Sequence, residues 1–334
     1  MSEIYLTKHG TEIRKQGGLL LIKTPDGNSK HMPLNYADCL IVMAAVQITY
    51  SAITAILRNN GSIIYLSSNG TVLGELGQKS GTARLLVRQL KCYLNKEIRQ
   101  QIAINIVKKK ILAQRNLLRI KNKYLKSSDL EKTITELKSL AKAANNTLNI
   151  KKLMGIEGIA AKKYFDAYKI LLAKNEIVWQ GRNKRPATDP INSMLSFGYS
   201  LLEKDVRRAI SSVGLNSSIG FLHEIDYRKE SLVYDIMEVF RPLIVDRLVL
   251  KLTKLGSFTK NDFIYNDNSC LFNDESRKMF IMMYEQYILK RPSNKNLNFK
   301  DIITLETKNL SMQIREKSQN KKQTVRKTLP VLKN

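Results

Sequence analysis

A chain of 334 residues, 43% of them hydrophobic, is long enough for two packed domains and is no disordered tract. Its 56 lysines and arginines against 29 acids leave a formal charge of +27, which repels itself unless a polyanion such as nucleic acid is the usual company. The longest apolar run, Cys39 to Val46, is far short of the roughly 20 residues of a spanning helix, and MSEIYLTKHG has no basic-then-apolar leader pattern. No membrane association is expected, and a cytoplasmic location is.

Residues 1–80 read as short β segments broken by turns: Gly17-Gly18, LLLIKT, the Pro25-Asp26-Gly27 turn, then KHMPL. Within this small β domain, ITYSAITAILRNNG has the period of one amphipathic helix ending at Gly61, followed by the strand SIIYLS and an Asn69-Gly70 turn into VLGEL. A linker is expected over 81–95. From Arg84 to Lys126 there are 13 lysines and arginines against the single acid Glu97, with apolar residues at helical spacing. Few glycines or prolines interrupt the amphipathic patterns to about residue 310, which predicts an all-helical domain over 96–310. The fold class is therefore α+β, a small amino-terminal β domain followed by a larger helical one. Residues 311–334 are expected to be a basic flexible tail, too polar to order itself.

Cys39, Cys92 and Cys270 have neither CxxC spacing nor clustered partners, so no zinc finger or disulfide framework is implied, and only His9, His31 and His223 can supply an imidazole. Three segments of the helical half hold candidate metal ligands. In LMGIEGIAAKKYFDAY, Glu157 stands between glycines, either aimed into a shared centre or serving as a helix N-terminal charge. In SSIGFLHEIDYRKESL, His223 follows an apolar triplet and is either a ligand or a hydrogen-bonded core histidine. In LVYDIMEVFRPLIVD, Asp235 and Glu238 share one face of an otherwise apolar helix. Burying them requires a cation, whether a metal ion or Arg241 or Arg247. Together an imidazole and two or three carboxylates make a hard ligand set suited to Mg²⁺ or Mn²⁺, an ion that can polarise a phosphodiester. Between them, WQGRNKRPATDPINSMLSFGYSLL opens with Arg182, Lys184 and Arg185, a loop expected to grip phosphate.

The order and spacing of EGIAAKKYF, GRNKRPATDPINSMLSFGYSLL, GLNSSIGFLH and SLVYDIMEVFRP resemble the universal CRISPR adaptation endonuclease family, and PLNYADCLIVMAAVQITYSAITAILRNNGSIIYLSSNGTVLGEL is similar to its β domain. The resemblance implies a metal-dependent endonuclease and integrase that inserts foreign DNA as spacers into a CRISPR array. It implies Mg²⁺ or Mn²⁺ on Glu157, His223 and Glu238, Asp235 as an accessory catalytic acid, and Arg241 as a basic DNA-binding residue beside Arg182, Lys184 and Arg185. It also implies a homodimer working on double-stranded and branched DNA with the small second CRISPR adaptation protein. Ser217 and Ala187 depart from the family's commoner prolines, and the surroundings of Val46 from its Gly-containing version. A casposon-type integrase of a mobile element or a stand-alone repair nuclease would share the same residues, and a catalytically inactive DNA-binding scaffold would lack a use for them.

Overall fold

Runs such as IYL, LLLIK and CLIV, rich in leucine and β-branched residues, are cut short by turn residues and fold as strands. The computed structural model describes residues 3–67, 69–77, 83–147, 149–173, 177, 179–183, 186–292 and 296–318, and divides into unit 1, Met1–Lys79, and unit 2, Ser80–Asn334. Unit 1 holds β1 (Glu3–Leu6), β2 (Thr11–Gln16), β3 (Leu19–Lys23), β4 (Ser29–Pro33), β5 (Cys39–Val42), β6 (Val46–Ile48), α1 (Tyr50–Arg58), β7 (Ser62–Leu66) and β8 (Val72–Leu76). One sheet has the order β1-β5-β7-β8, the other β4-β3-β2-β6. β5, parallel to both β1 and β7, is buried at every position, as its unbroken CLIV run requires. Ile13 and Leu20 from one sheet, Leu40 and Ile63 from the other, and Ala52 and Ile56 from α1 form the core.

Unit 2 is built from α2 (Ala83–Leu94), α3 (Lys96–Leu125), α4 (Ser128–Asn145), α5 (Ile150–Leu172), α6 (Pro190–Val213), α7 (Ser231–Phe240), α8 (Arg247–Lys254), α9 (Asp274–Ile288) and α10 (Phe299–Lys317). Local chemistry sets many of the starts. Asn95, Ser127, Asn149, Asp189, Asn273 and Asn298 each accept a backbone N–H with the side chain, satisfying a donor that the helix itself leaves orphaned. Pro190 follows Asp189 at the first position of α6, where its missing N–H costs nothing. The long α3 packs on α4, α5 and α7. Its buried stripe runs through Ala103, Val107, Ile111, Gln114 and Leu118, and each fully buried leucine or isoleucine contributes about 1.5–3 kcal/mol.

Three expectations change. The segment expected as a linker, 81–95, contains α2, whose narrow stripe of Leu85, Gln89 and Cys92 is buried. The helical domain is not all-helical: β9 (Phe263–Asn266) and β10 (Ser269–Phe272) form an antiparallel hairpin tied to the chain before α6 by the Cys270 N–H to the Ala187 carbonyl, 2.7 Å. Phe263 and Phe272 stack at 4.8 Å and join Phe258 and Phe280, which is the packing gain that favours strands there. Residues 311–317, expected as the start of a tail, are instead the last turns of α10, with Ser311 and Ile314 buried, and the rest of that expectation, 319–334, lies outside the described residues. Among the described residues no helix is long and apolar enough to cross a membrane.

Between α7 and α8, Pro242–Asp246 form one π-helical turn, with the Asp246 N–H bonded to the Arg241 carbonyl five residues back at 3.0 Å. Pro242 has no N–H for the regular ladder, and the chain takes in one extra residue at that point.

Candidate active site

Asp235, in the second turn of α7, is fully buried and accepts four hydrogen bonds. One oxygen takes the backbone N–H groups of Phe221 and, at 3.0 Å, Leu222; the other takes the N–H of His223 at 3.0 Å and its ring Nδ1 at 2.7 Å. An ionised carboxylate only accepts, so Nδ1 carries a proton, and in the neutral ring Nε2 keeps its lone pair for a ligand. The hydrogen bond to Asp235 outweighs burial and raises the imidazole pKa, and the charges of Glu238 and Glu157 push the same way. Both glutamates are thus within electrostatic reach of the ring.

The loop that carries His223 is fastened on every side. A side chain at Gly220 would place its Cβ 2.7 Å from the Ser231 Cβ and 2.9 Å from the Asp235 carboxylate, so only glycine lets the loop lie against α7. From α2, the Gln89 amide donates to the carbonyls of Asn216 (2.9 Å) and Ile219 (2.8 Å) and accepts the Asn216 N–H. From α3, Arg99 donates to the Phe221 carbonyl at 3.0 Å. Ser217, where the family often has proline, donates to Glu230 at 2.6 Å, and Arg207 of α6 is ion-paired with that same glutamate and with Glu203. A hydrogen bond does there what ring stiffness would otherwise do.

Glu157 sits at the eighth position of α5, beyond the first turn, so the reading as an N-terminal helix charge does not apply. Its carboxylate and that of Glu238, one helical turn after Asp235, meet at a single cation, the ammonium of Lys110 from α3, which is ion-paired with both. Arg241 approaches Glu238 from the other side, with Nε 3.4 Å from Oε1. Burial works to raise the Glu238 carboxyl, and Arg241 and Lys110 overcome it and hold it at about 2. Burial likewise works against the charged Lys110, and the two glutamates more than offset it, raising its pKa.

Behind this cluster lies a polar core that sequence reasoning missed. Asp246, at the end of the π turn, accepts from Tyr164 (2.8 Å) and Tyr199 (2.5 Å) with its carboxylate and from Tyr168 (2.7 Å) with its carbonyl. Burial raises the Asp246 carboxyl to about 6 against these hydrogen bonds and the nearby arginines. The guanidinium of Arg241 lies over the Tyr199 ring at 4.5 Å, and that of Arg182 at 5.5 Å. Arg182 also donates to Asn192 (2.9 Å) and Ser196 (3.2 Å) of α6. Arg182 and Arg241, two of the three arginines expected at DNA, are therefore engaged with the protein. Lys184 and Arg185 lie outside the described residues.

The donor set suits a hard divalent ion: carboxylates from Glu157 and Glu238, and an imidazole held in one tautomer by Asp235. As placed, no three His, Cys, Asp or Glu side chains among the described residues form a cluster that could hold a metal ion. Lys110 occupies the point at which the two glutamates converge.

The family described as CRISPR associated protein Cas1 matches residues 4–286. The chain belongs to the Cas1 family. A CRISPR-associated endonuclease Cas1 from Clostridium perfringens is 30% identical over 313 residues, covering 91% of this chain and 93% of that protein. A Cas1 protein from Thermotoga maritima has a TM-score of 0.82 at 25% identity, over 94% of this chain and 97% of the other. A casposase bound to integration product has a TM-score of 0.81 at 26% identity, over 95% and 91%.

Proposed function

We propose that this Cas1-family chain is a metal-dependent DNA endonuclease and integrase that inserts DNA fragments into a CRISPR array. The observation that carries the reading is the convergence of Glu157 and Glu238, from separate helices, on one cation beside a histidine whose ring is oriented by Asp235. Glu157, Glu238 and His223 Nε2 would hold Mg²⁺ or Mn²⁺, which polarises a phosphodiester and offsets the charge that builds on it. In the transfer, a 3′-hydroxyl of the incoming fragment gives up its proton to solvent as its oxygen attacks phosphorus, a new P–O bond forms, the bond to the target's own 3′-oxygen breaks, and that oxygen takes up a proton from solvent and leaves as a hydroxyl. No protein nucleophile is required. Asp235 fixes the imidazole, and Arg241 limits the negative charge around Glu238.

The basic surface supports a nucleic-acid substrate. Lys121 of α3 lies near Lys254 and Arg247 of α8, and burial together with these like charges lowers its pKa, a concentration of positive charge suited to phosphate. Double-stranded and branched DNA, a homodimer and the small second CRISPR adaptation protein complete the proposal. The test is Mn²⁺-dependent strand transfer on a branched substrate. Glu157→Ala, His223→Ala and Glu238→Ala should each abolish transfer while leaving a folded protein that still binds DNA, the glutamate variants melting lower because Lys110 loses a carboxylate partner, and transfer by the triple variant should be no worse than by the singles. Full activity in His223→Ala would refute the site. The casposase similarity favours one second reading, integration for a mobile element. Transfer into a CRISPR repeat only with the small partner supports adaptation, and partner-independent transfer of a mobile element's own ends supports the alternative.

A further inference from the structure

Lys110 marks the point where the two glutamates converge but is given no function in the reading above. It lies on the buried stripe of α3, in phase with Ala103, Val107, Gln114 and Leu117, where a charged side chain is costly without a partner. Its partners are the two carboxylates to which the proposed function assigns the ion. Two cations, Lys110 and Arg241, face two anions, Glu157 and Glu238, so this group of four is neutral without any metal.

We propose that Lys110 is a built-in competitor for the divalent ion: its ammonium holds Glu157 and Glu238 together in the metal-free protein and has to leave them when the ion binds. The proposal rests on the reading of Glu157 and Glu238 as ligands. A hard ion takes carboxylate oxygens at about 2.1 Å, and an ammonium in contact with both carboxylates cannot keep those two contacts once the ion has taken the oxygens, because like charges repel. Metal affinity is therefore reduced by the strength of the two ion pairs, and the metal-free site is kept from collapsing or from pushing the glutamates apart. Displacement leaves a flexible cation beside the loaded centre, where the surplus charge favours an incoming phosphate. Loading and DNA binding are coupled through this side chain.

The test is Mn²⁺ binding by calorimetry to the full-length protein without DNA. Lys110→Met, close in length and uncharged, should bind Mn²⁺ at least tenfold more tightly than the unaltered protein, and Lys110→Arg should not. Without metal, Lys110→Met should melt at a lower temperature, and saturating Mn²⁺ should raise its melting temperature by more than it raises that of the unaltered protein. A second measurement needs no variant. Acetylation of lysines, read by peptide mass spectrometry, should spare Lys110 in the metal-free protein and modify it when Mn²⁺ is saturating. Equal or weaker Mn²⁺ binding by a folded Lys110→Met, or a Lys110 still protected in the loaded protein, overturns the proposal and leaves the metal site standing. If Mn²⁺ binds neither protein, or binds Glu157→Gln and Glu238→Gln as well as the original, the metal site falls and the competitor with it.

Discussion

Replacing Asp235 by asparagine tests the histidine seat. The carboxylate now accepts four hydrogen bonds in a fully buried position. An asparagine keeps one accepting oxygen, and its NH₂ group points donors at donors. Two of the four groups, one backbone N–H and either a second N–H or the ring Nδ1–H, then lose their acceptor. Each buried orphan costs about 1–3 kcal/mol, so a destabilisation of about 3 kcal/mol is expected after local relaxation. For a helical unit of this size, that is a fall of about 6–12 °C in melting temperature. Hydrogen exchange should locate the damage, with the amides of residues 221–223 losing protection while those of the buried stripe of α3 keep theirs. Strand transfer should fall further than stability, because the imidazole loses its fixed tautomer and orientation. A variant that melts within 1–2 °C of the original and keeps slow exchange at residues 221–223 would refute the claim that Asp235 seats the loop.

Asp246 should leave a mark on the pH dependence of stability. Its folded pKa, about 6, stands above the ordinary 3.8, so the stability it contributes is full below about pH 4 and is lost as pH rises through 6, about 3 kcal/mol in all. Asp246→Asn should flatten that part of the curve in urea melts at successive pH values, and an unchanged curve would show that the carboxyl does not titrate there. Gly158→Ala should raise the melting temperature by about 1–4 °C, since the glycine sits in α5 with open space around its Cα and alanine is about 0.5–1 kcal/mol better in a helix interior. A fall would mean that some surface lies against that face. Affinity for random duplex, measured by anisotropy, should drop on the order of 10³-fold between 50 and 200 mM salt if six or more phosphates are contacted, and a flat response would rule out backbone binding.

Chemistry that depends on residue order was readable before the fold. Glu157, His223, Asp235 and Glu238 are singled out as candidates by the succession of their segments, and β3, β4, α1, β7 and β8 of unit 1 follow from apolar patterning and turn residues. What escaped was chemistry that depends on phase. Lys110 sits in a run of three lysines and reads as one more solvent charge, although counting from Ala103 and Val107 places it on the apolar stripe. Asp246 interrupts LIV and LVL in the same way, an acid where only a buried partner explains it. The β9–β10 hairpin was hidden by the absence of glycine or proline at its turn, and its strands earn their place through phenylalanines far apart in sequence. That Arg182 and Arg241 lean on Tyr199 could not be seen without the packing of α6 and α7.

The π turn at Pro242–Asp246 constrains the chain in a way that substitutions would not reveal. Each residue of an α-helix advances the direction of the next by about 100°. Removing one residue from this segment would restore a regular ladder after Arg241 and swing Asp246, with all of α8, by that angle. Asp246 would then no longer face Tyr164 and Tyr199, and the hydrophobic side of α8 would turn away from the core, even though every remaining side chain is unchanged. The number of residues in this turn is therefore fixed more tightly than their identity, and single-residue deletions here should be lost from any library of functional variants in which many point changes survive.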